Sequence, residues 1–246
     1  MPFDTLAPPP LPAVDVTKTL SAFETTFTIG DSGALRRRNI RAAALRLDGT
    51  LILPGATFSF NDVVGSRTKE RGFVFAPEIH GDVVSGGVGG GTCQVSSTLF
   101  DAALFGALDI VERKSHSRPS TYVKLGLDAT VSYPSVDLKL KNPFGFALMI
   151  HAYLPRANTL RIELLGAEPV ARVTHSLTAG SASDYARLVE PKSWLEPGEQ
   201  RLRQRGAPGY EVTSVVAIAW PDGRTEERTY FSGYRPTPEI LWVSSR

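Results

Sequence analysis

Cys93, His116 and Asp128 follow one another in the chain as a nucleophile, a base and an orienting carboxylate would. Cys93 is the single cysteine of the chain, and it stands behind a glycine run in SGGVGGGTCQVSSTLFDAAL, residues 85–104. A thiol has an ordinary pKa of about 8.5, and the unpaired N–H groups and dipole at a helix start favour its thiolate. Thr92 is the expected N-cap, which sets Cys93 in the first turn of a helix over about 93–108. Gly89, Gly90 and Gly91 supply backbone able to take positive φ and approach a substrate closely. His116 is expected on the strand after the helix and Asp128 at the opening of the next strand but one. That order could serve covalent acyl transfer. Set against this, free cysteine is among the most buried residue types, and a histidine in a strand is commonly structural. Both readings stay open on the residues alone.

Positioning these groups requires the rest of the chain. SAFETTFTI alternates as a strand, and SGALRRRNIRAAALRLDG has helical periodicity, with Ile40, Ala43, Ala44 and Leu47 inward and Gly49 ending it. TLILPGATFSFNDVVG predicts two short strands about a Pro-Gly turn, and residues 72–84 a hairpin turning at His80-Gly81-Asp82. Beyond Val95 the Cys93 helix is apolar on most sides, as a buried central helix would be. From Ile110 the strand candidates are DIVERKSHS, STYVKL, DATVSYPSVDLKLKN, FALMIHAYL and TLRIELLG. Helices first and an antiparallel run after predict an α+β fold. A small all-β domain follows, beginning between 167 and 190.

Composition narrows the function. The 27 basic and 25 acidic side chains leave a charge of +2, too little for a general polyanion field, so nucleic acid is not an expected partner. RRRNIR at 36–41 is a local exception, read as a solvated basic face before a phosphate or wall-polymer contact. One cysteine excludes an internal disulfide and a Cys-rich zinc site, and the four histidines show no paired spacing, so no metal or other cofactor is expected. The glycine run lacks the Lys-Ser/Thr ending of a P-loop and is no GxGxxG turn. No apolar run approaches a membrane span. MPFDTLAPPPLPAVDV shows no signal peptide and reads as a Pro-rich arm over residues 1–20.

LPGATFSFNDVVGSRTKERGF, GGVGGGTCQVSSTLFDAAL, IVERKSHSRPSTYV and GLDATVSYPSVDLKLKN, taken together in this order, resemble the VanW family over residues 21–166. The tail, 177–246, resembles a G5 domain through EPGEQ, GAPGY, PDGR and PTPEI, with Gly198, Gly206, Gly209 and Gly223. The resemblance places the family's GGGxCQVSSTL block on Gly89 to Leu99, its HS pair on His116 and Ser117, and its DATV block on Asp128 to Val131. It implies a bacterial cell-envelope or extracellular setting, with peptidoglycan or another wall polymer as partner. A looser similarity, Gly-then-Cys heading a buried helix with His and Asp on following strands, is to papain-like and transglutaminase-like folds.

Two functions follow. The first is a cysteine amide hydrolase or transferase on wall peptides, with the Cys93 N–H and Gln94 as oxyanion donors and Thr92 and Ser96 supporting. The second is a non-catalytic peptidoglycan-binding protein, with Phe58, Phe60, Tyr122 and Tyr133 as stacking faces. A glycan-cleaving variant would draw on Asp62, Glu70 and Glu78. The tail, with Trp194, Trp220 and Trp242, is assigned binding and no chemistry.

Overall fold

The computed structural model describes residues 14–28, 30–80, 83–168 and 171–245. Most of the Pro-rich opening and the Gly81-Asp82 tip of the expected hairpin lie outside them, as does the side chain of Glu78. The described chain is mostly β-sheet, with three helices.

In chain order the elements of the first part are β1 Lys18–Thr26, α1 Asp31–Leu47, β2 Thr50–Ile52, β3 Thr57–Ser59, α2 Phe60–Val64, β4 Phe75–His80, β5 Val83–Val88, α3 Thr92–Phe105, β6 Asp109–Glu112, β7 Lys139–Lys141, β8 Leu148–Arg156 and β9 Thr159–Gly166. The sheet β1-β9-β8-β2 is antiparallel throughout. Its strands alternate as one-face burial demands: Leu148, Ile150 and Ala152 on β8 and Leu160, Ile162 and Leu164 on β9 are all buried. α1 turns Ile40, Ala43, Ala44 and Leu47 inward, as its spacing predicts. It ends at Asp48, whose N–H returns to Ala44 O, and Gly49 follows at φ 77°. A second sheet, β3-β7-β6, and the β4–β5 hairpin complete this part.

α3 is buried at every position from Thr92 to Leu104 except Cys93, which is partly buried. It packs on β1, β9, β6 and α1. So complete a burial obliges its polar side chains to find partners. Thr98 Oγ1 donates to Gln94 O and meets Thr25 Oγ1, while Ser96 and Ser97 both bond Cys93 O and Ala129 O.

Three local expectations are corrected. The second strand of TLILPGATFSFNDVVG stops at Ser59, because Ser59 Oγ accepts from Asp62 N and the Asp137 carboxylate accepts from Asn61 N, turning the chain into α2. The N-cap of α3 is Gly91, at φ 104°, and Thr92 is its first helical residue with Oγ1 donating to Gly89 O. The strands expected over SHS, STYVKL and DATVSY do not form: from 113 to 138 the chain holds a single isolated bridge, Ser132 to Val136. Its backbone groups are satisfied otherwise, by Ser97 Oγ accepting from Ala129 N, Asp128 accepting from His116 N, and Lys114 O accepting from Thr130 N.

The remaining strands are β10 Arg172–Ser183, β11 Arg187–Lys192, β12 Gln200–Gln204, β13 Gly209–Ala219, β14 Thr225–Tyr234 and β15 Glu239–Ser244. They form two sheets, β10-β13-β14 and β11-β15-β12, the second with β11 parallel to β15. Val216 and Ile218 of β13 join the same hydrophobic core as α1 and α3, so this region is packed against the first part.

Candidate active site

Cys93 reaches its neighbours from the first turn of α3. Its Sγ lies 3.4 Å from Val131 O and 3.6 Å from Thr130 Oγ1, in the irregular stretch that also carries His116 and Asp128. His116 follows β6 in that stretch, and its Nδ1 is 2.6 Å from Asp128 Oδ2. With Nδ1 on the carboxylate, Nε2 is the ring nitrogen left for the thiol, and Tyr122 Oη stands 3.3 Å from it. The three residues are thus brought to one place, from loop positions for His116 and Asp128 in place of the expected strands.

Asp128 is 1% exposed and carries a full set of donors. Oδ2 takes the backbone N–H of His116 as well as its ring, both at 2.6 Å. Oδ1 takes Tyr234 Oη–H at 2.5 Å and Arg113 Nη2 at 3.2 Å. Arg113 is held in turn by Asp128 O at 2.6 Å, by Ser232 Oγ at 2.8 Å, and over the Phe100 ring.

These contacts set the charges. Burial pushes His116 down, but bonding to Asp128 and Cys93 outweighs it and carries the imidazole up to about 9. Burial pushes the Cys93 thiol up, and the hydrogen bond and charge of His116 bring it below its ordinary value. Burial also opposes ionisation of Asp128, yet His116, Tyr234 and Arg113 hold its carboxyl below the usual range. Burial and the charge on Cys93 keep Tyr122 protonated, far above a free phenol. A thiolate–imidazolium pair oriented by a carboxylate is the state this arrangement favours. Behind it lies Asp101, fully buried on α3 with neither oxygen bonded. Burial and the charge of Asp128 push its pKa well above the carboxylate range.

The other expected residues divide. Ser96 holds Ala129 O, one residue from Asp128. Ser117 contributes its carbonyl, which accepts from Arg235 N at 2.7 Å. Gln94 is not placed as an oxyanion donor. Its Nε2 donates to Thr25 Oγ1 and Thr26 O, and its Oε1 accepts from Arg36. The glycine run packs against its own chain: a Cβ at Gly90 would meet Ala76 O at 2.7 Å, and one at Gly91 would press on Ile40 and Arg36. Its lack of side chains lets the loop lie on β4 and the head of α3 seat on α1. Phe58 and Phe60 are core residues and offer no stacking face, whereas Tyr133 is half exposed beneath Arg67. Asp62 and Glu70 are exposed. Arg37, Arg38 and Arg41 line a cavity of about 490 Å³ to which Cys93, His116 and Asp128 contribute nothing. Among the described residues no group of three or more His, Cys, Asp or Glu side chains could hold a metal ion.

Arg113, Thr130, Ser97 and Tyr234 were not anticipated. The sequence signal for Arg113 was a basic residue three positions before a histidine in a β-like run, which points equally well to solvent.

The sequence profile of the family described as "VanW like protein" matches residues 35–165, more than half of the chain and all of the Cys93 cluster except Tyr234. The chain belongs to the VanW-like family. This VanW-like chain is 43% identical over 136 residues to the protein named uncharacterized protein YoaR of Bacillus subtilis (strain 168), covering 55% of itself and 44% of that relative. It is 35% identical over 173 residues to vancomycin B-type resistance protein VanW of Enterococcus faecalis (strain ATCC 700802 / V583), covering 65% and 63%. It therefore spans less than two thirds of the length of either relative. Two solved structures also align: the IgA1 protease G5 domain, at 17% identity and TM-score 0.23, covering 33% of this chain and 99% of that one, and HP0197-G5, at 17% and 0.18, covering 30% and 97%. No helix among the described residues is long and apolar enough to cross a membrane.

Proposed function

We propose that this VanW-like chain is a cell-envelope protein that cleaves or transfers amide bonds in the peptide part of peptidoglycan, with Cys93 as nucleophile. The observation that carries this reading is the 2.6 Å contact of His116 Nδ1 with the buried Asp128 carboxylate, beside a thiol of depressed pKa. The envelope setting rests on the VanW kinship and on the G5-like spacing of the tail. The helix-headed thiol with His and Asp downstream also supports a papain-like or transglutaminase-like arrangement, by analogy of layout alone.

In the proposed reaction the Cys93 thiolate adds to the amide carbonyl carbon. The Cys93 N–H at the head of α3 and the protonated Tyr122 hydroxyl stabilise the oxyanion, Tyr122 taking the role that Gln94 cannot. The C–N bond breaks as His116 Nε2–H protonates the leaving amine, which leaves a thioester on Cys93. Water or an acceptor amine then adds to the thioester, His116 takes its proton, and the thiolate departs. Asp128 keeps the imidazole in register and supports its positive charge.

Cys93→Ala is expected to lower turnover of purified stem peptides about 10³-fold or more while leaving the circular dichroism melt in place. Undiminished cleavage by that variant would end the proposal. Alkylation of Cys93 against pH gives a second check. The wild-type rate should titrate below the free-thiol value and shift upward in His116→Ala.

A non-catalytic wall-binding role has one observation in its favour. Trp194, 56% exposed, meets Trp242 edge-on, with Arg201 over the first ring and Lys192 and Arg203 over the second. Such a patch suits a sugar face bearing anionic groups, and it is compatible with chemistry at Cys93.

A further inference from the structure

One short piece of the C-terminal β region, Phe231 to Arg235, touches the reactive stretch at four places. Ser232 Oγ and Phe231 O accept from Arg113 Nη1 at 2.8 and 3.2 Å. Arg235 N donates to Ser117 O at 2.7 Å, one residue after His116. Tyr234 Oη accepts from Gly126 N at 2.7 Å and donates to Asp128 Oδ1 at 2.5 Å. These anchor points bracket His116 and Asp128 along the chain. Gly126, at φ +81°, lies so close to Ser214 of β13 that a Cβ there would collide with the serine hydroxyl. The contact is therefore close-packed, and Tyr234 is 4% exposed.

The division of labour at the carboxylate gives Tyr234 its meaning. Asp128 follows no strand ladder that would fix its side-chain torsion. A carboxylate that serves a ring nitrogen through one oxygen must be stopped from rotating, and here Oδ1 is pinned while Oδ2 is left to His116. We propose that Tyr234 is a positioning residue of the reactive centre, whose hydroxyl locks the Asp128 carboxylate on His116, so that the C-terminal β region is a structural part of the site and not only an attachment module. This rests on the reading of His116 and Asp128 as functional, but its decisive readout does not require Cys93 to react.

The test uses the full chain with Tyr234→Phe, which keeps the ring and its packing. Tyr230→Phe is the comparator: it removes a hydroxyl from the same strand, where Tyr230 packs edge-on against Phe100 and makes no bond to Asp128. The His116 imidazole is titrated by NMR in each variant, and exchange of its Nδ1–H with water is followed. Tyr234→Phe should bring the His116 pKa down by about one unit and speed Nδ1–H exchange at least tenfold. Tyr230→Phe should leave both at their wild-type values. An unchanged or higher His116 pKa in Tyr234→Phe would overturn the proposal, since Tyr234 would then be idle or a mere competitor for the carboxylate. Should Tyr234→Phe fail to fold, Ser232→Ala carries the test through Arg113, with a smaller shift in the same direction expected and no shift overturning it. Turnover is measured in parallel. Absence of Cys93-dependent cleavage in the wild type would remove the proposed activity and leave the NMR result standing on its own.

Discussion

Among the described residues, two histidine–aspartate pairs of nearly equal length lie in very different surroundings. His116 Nδ1 is 2.6 Å from Asp128, with side chains 21% and 1% exposed; His151 Nδ1 is 2.7 Å from Asp48, with both 39% exposed. The outer pair joins the end of α1 to β8, where Asp48 also accepts from Ala152 N and His151 stacks on Tyr153. It is solvated and screened, and such pairs contribute little to stability. In the inner pair the carboxylate is cut off from water and backed by an arginine, a tyrosine and a backbone N–H, and the imidazole, mostly covered, has a thiol beside it. The contact is the same, and burial decides what it does.

Removing each carboxylate should separate the two most widely. Asp128→Ala is expected to cost about 3–5 kcal/mol, because Arg113 is left buried without its partner. Asp48→Ala should cost ~0–1 kcal/mol. Urea denaturation of both variants checks this, and comparable losses would remove the distinction.

The pH dependence comes next. In the wild type the slopes of His116 and Cys93 oppose one another, since the imidazole holds a proton that the thiol has released. Cys93→Ala leaves the histidine's slope alone. A histidine with a raised folded pKa contributes stability that is complete below its unfolded value of 6.5 and is lost as pH rises through the folded value, about 9 with Cys93 present. Thermal melts of Cys93→Ala between pH 6 and 10 should therefore fall more steeply than those of Cys93→Ala/His116→Ala. Parallel curves would mean that His116 is not stabilised as a cation.

The smallest effect concerns Asp101. Its raised pKa means that the folded chain must hold a proton which the unfolded chain has released above 3.8, so Asp101 costs stability at neutral pH. Asp101→Asn should gain about 1 kcal/mol at pH 7 and nothing below the unfolded carboxyl's pKa. A loss at pH 7 would indicate that the carboxyl is bonded in solution.

Residue chemistry made much of this readable in advance, and topology less so. Cys93, His116 and Asp128 could be picked out because thiol, imidazole and carboxylate lie within a short span. The one-sided periodicity of α1 marked its inner face correctly, and β8 and β9 form where strands were expected. What escaped was set by contacts distant in sequence. Tyr234 looks like any strand tyrosine, and its partner Asp128 lies 106 positions away. The segment from 113 to 138 has β-like composition, yet its backbone bonds go to Ser97, Asp128 and Arg113, which local propensity cannot foresee. The glycine run suggested openness toward a ligand, and only its close packing on β4 and α1 gives it another purpose. Gln94 was misjudged likewise, because its amide is occupied by Thr25, Thr26 and Arg36.

The irregular segment that carries His116 and Asp128 has a thermal consequence. Strands in a ladder share their fate with neighbours, whereas a stretch fastened by a few side chains can open as a unit of its own. The reactive pair should then come apart at a lower temperature than the β1-β9-β8-β2 sheet melts. The alkylation rate of Cys93, followed on heating, would register that first opening while circular dichroism still reports an intact protein.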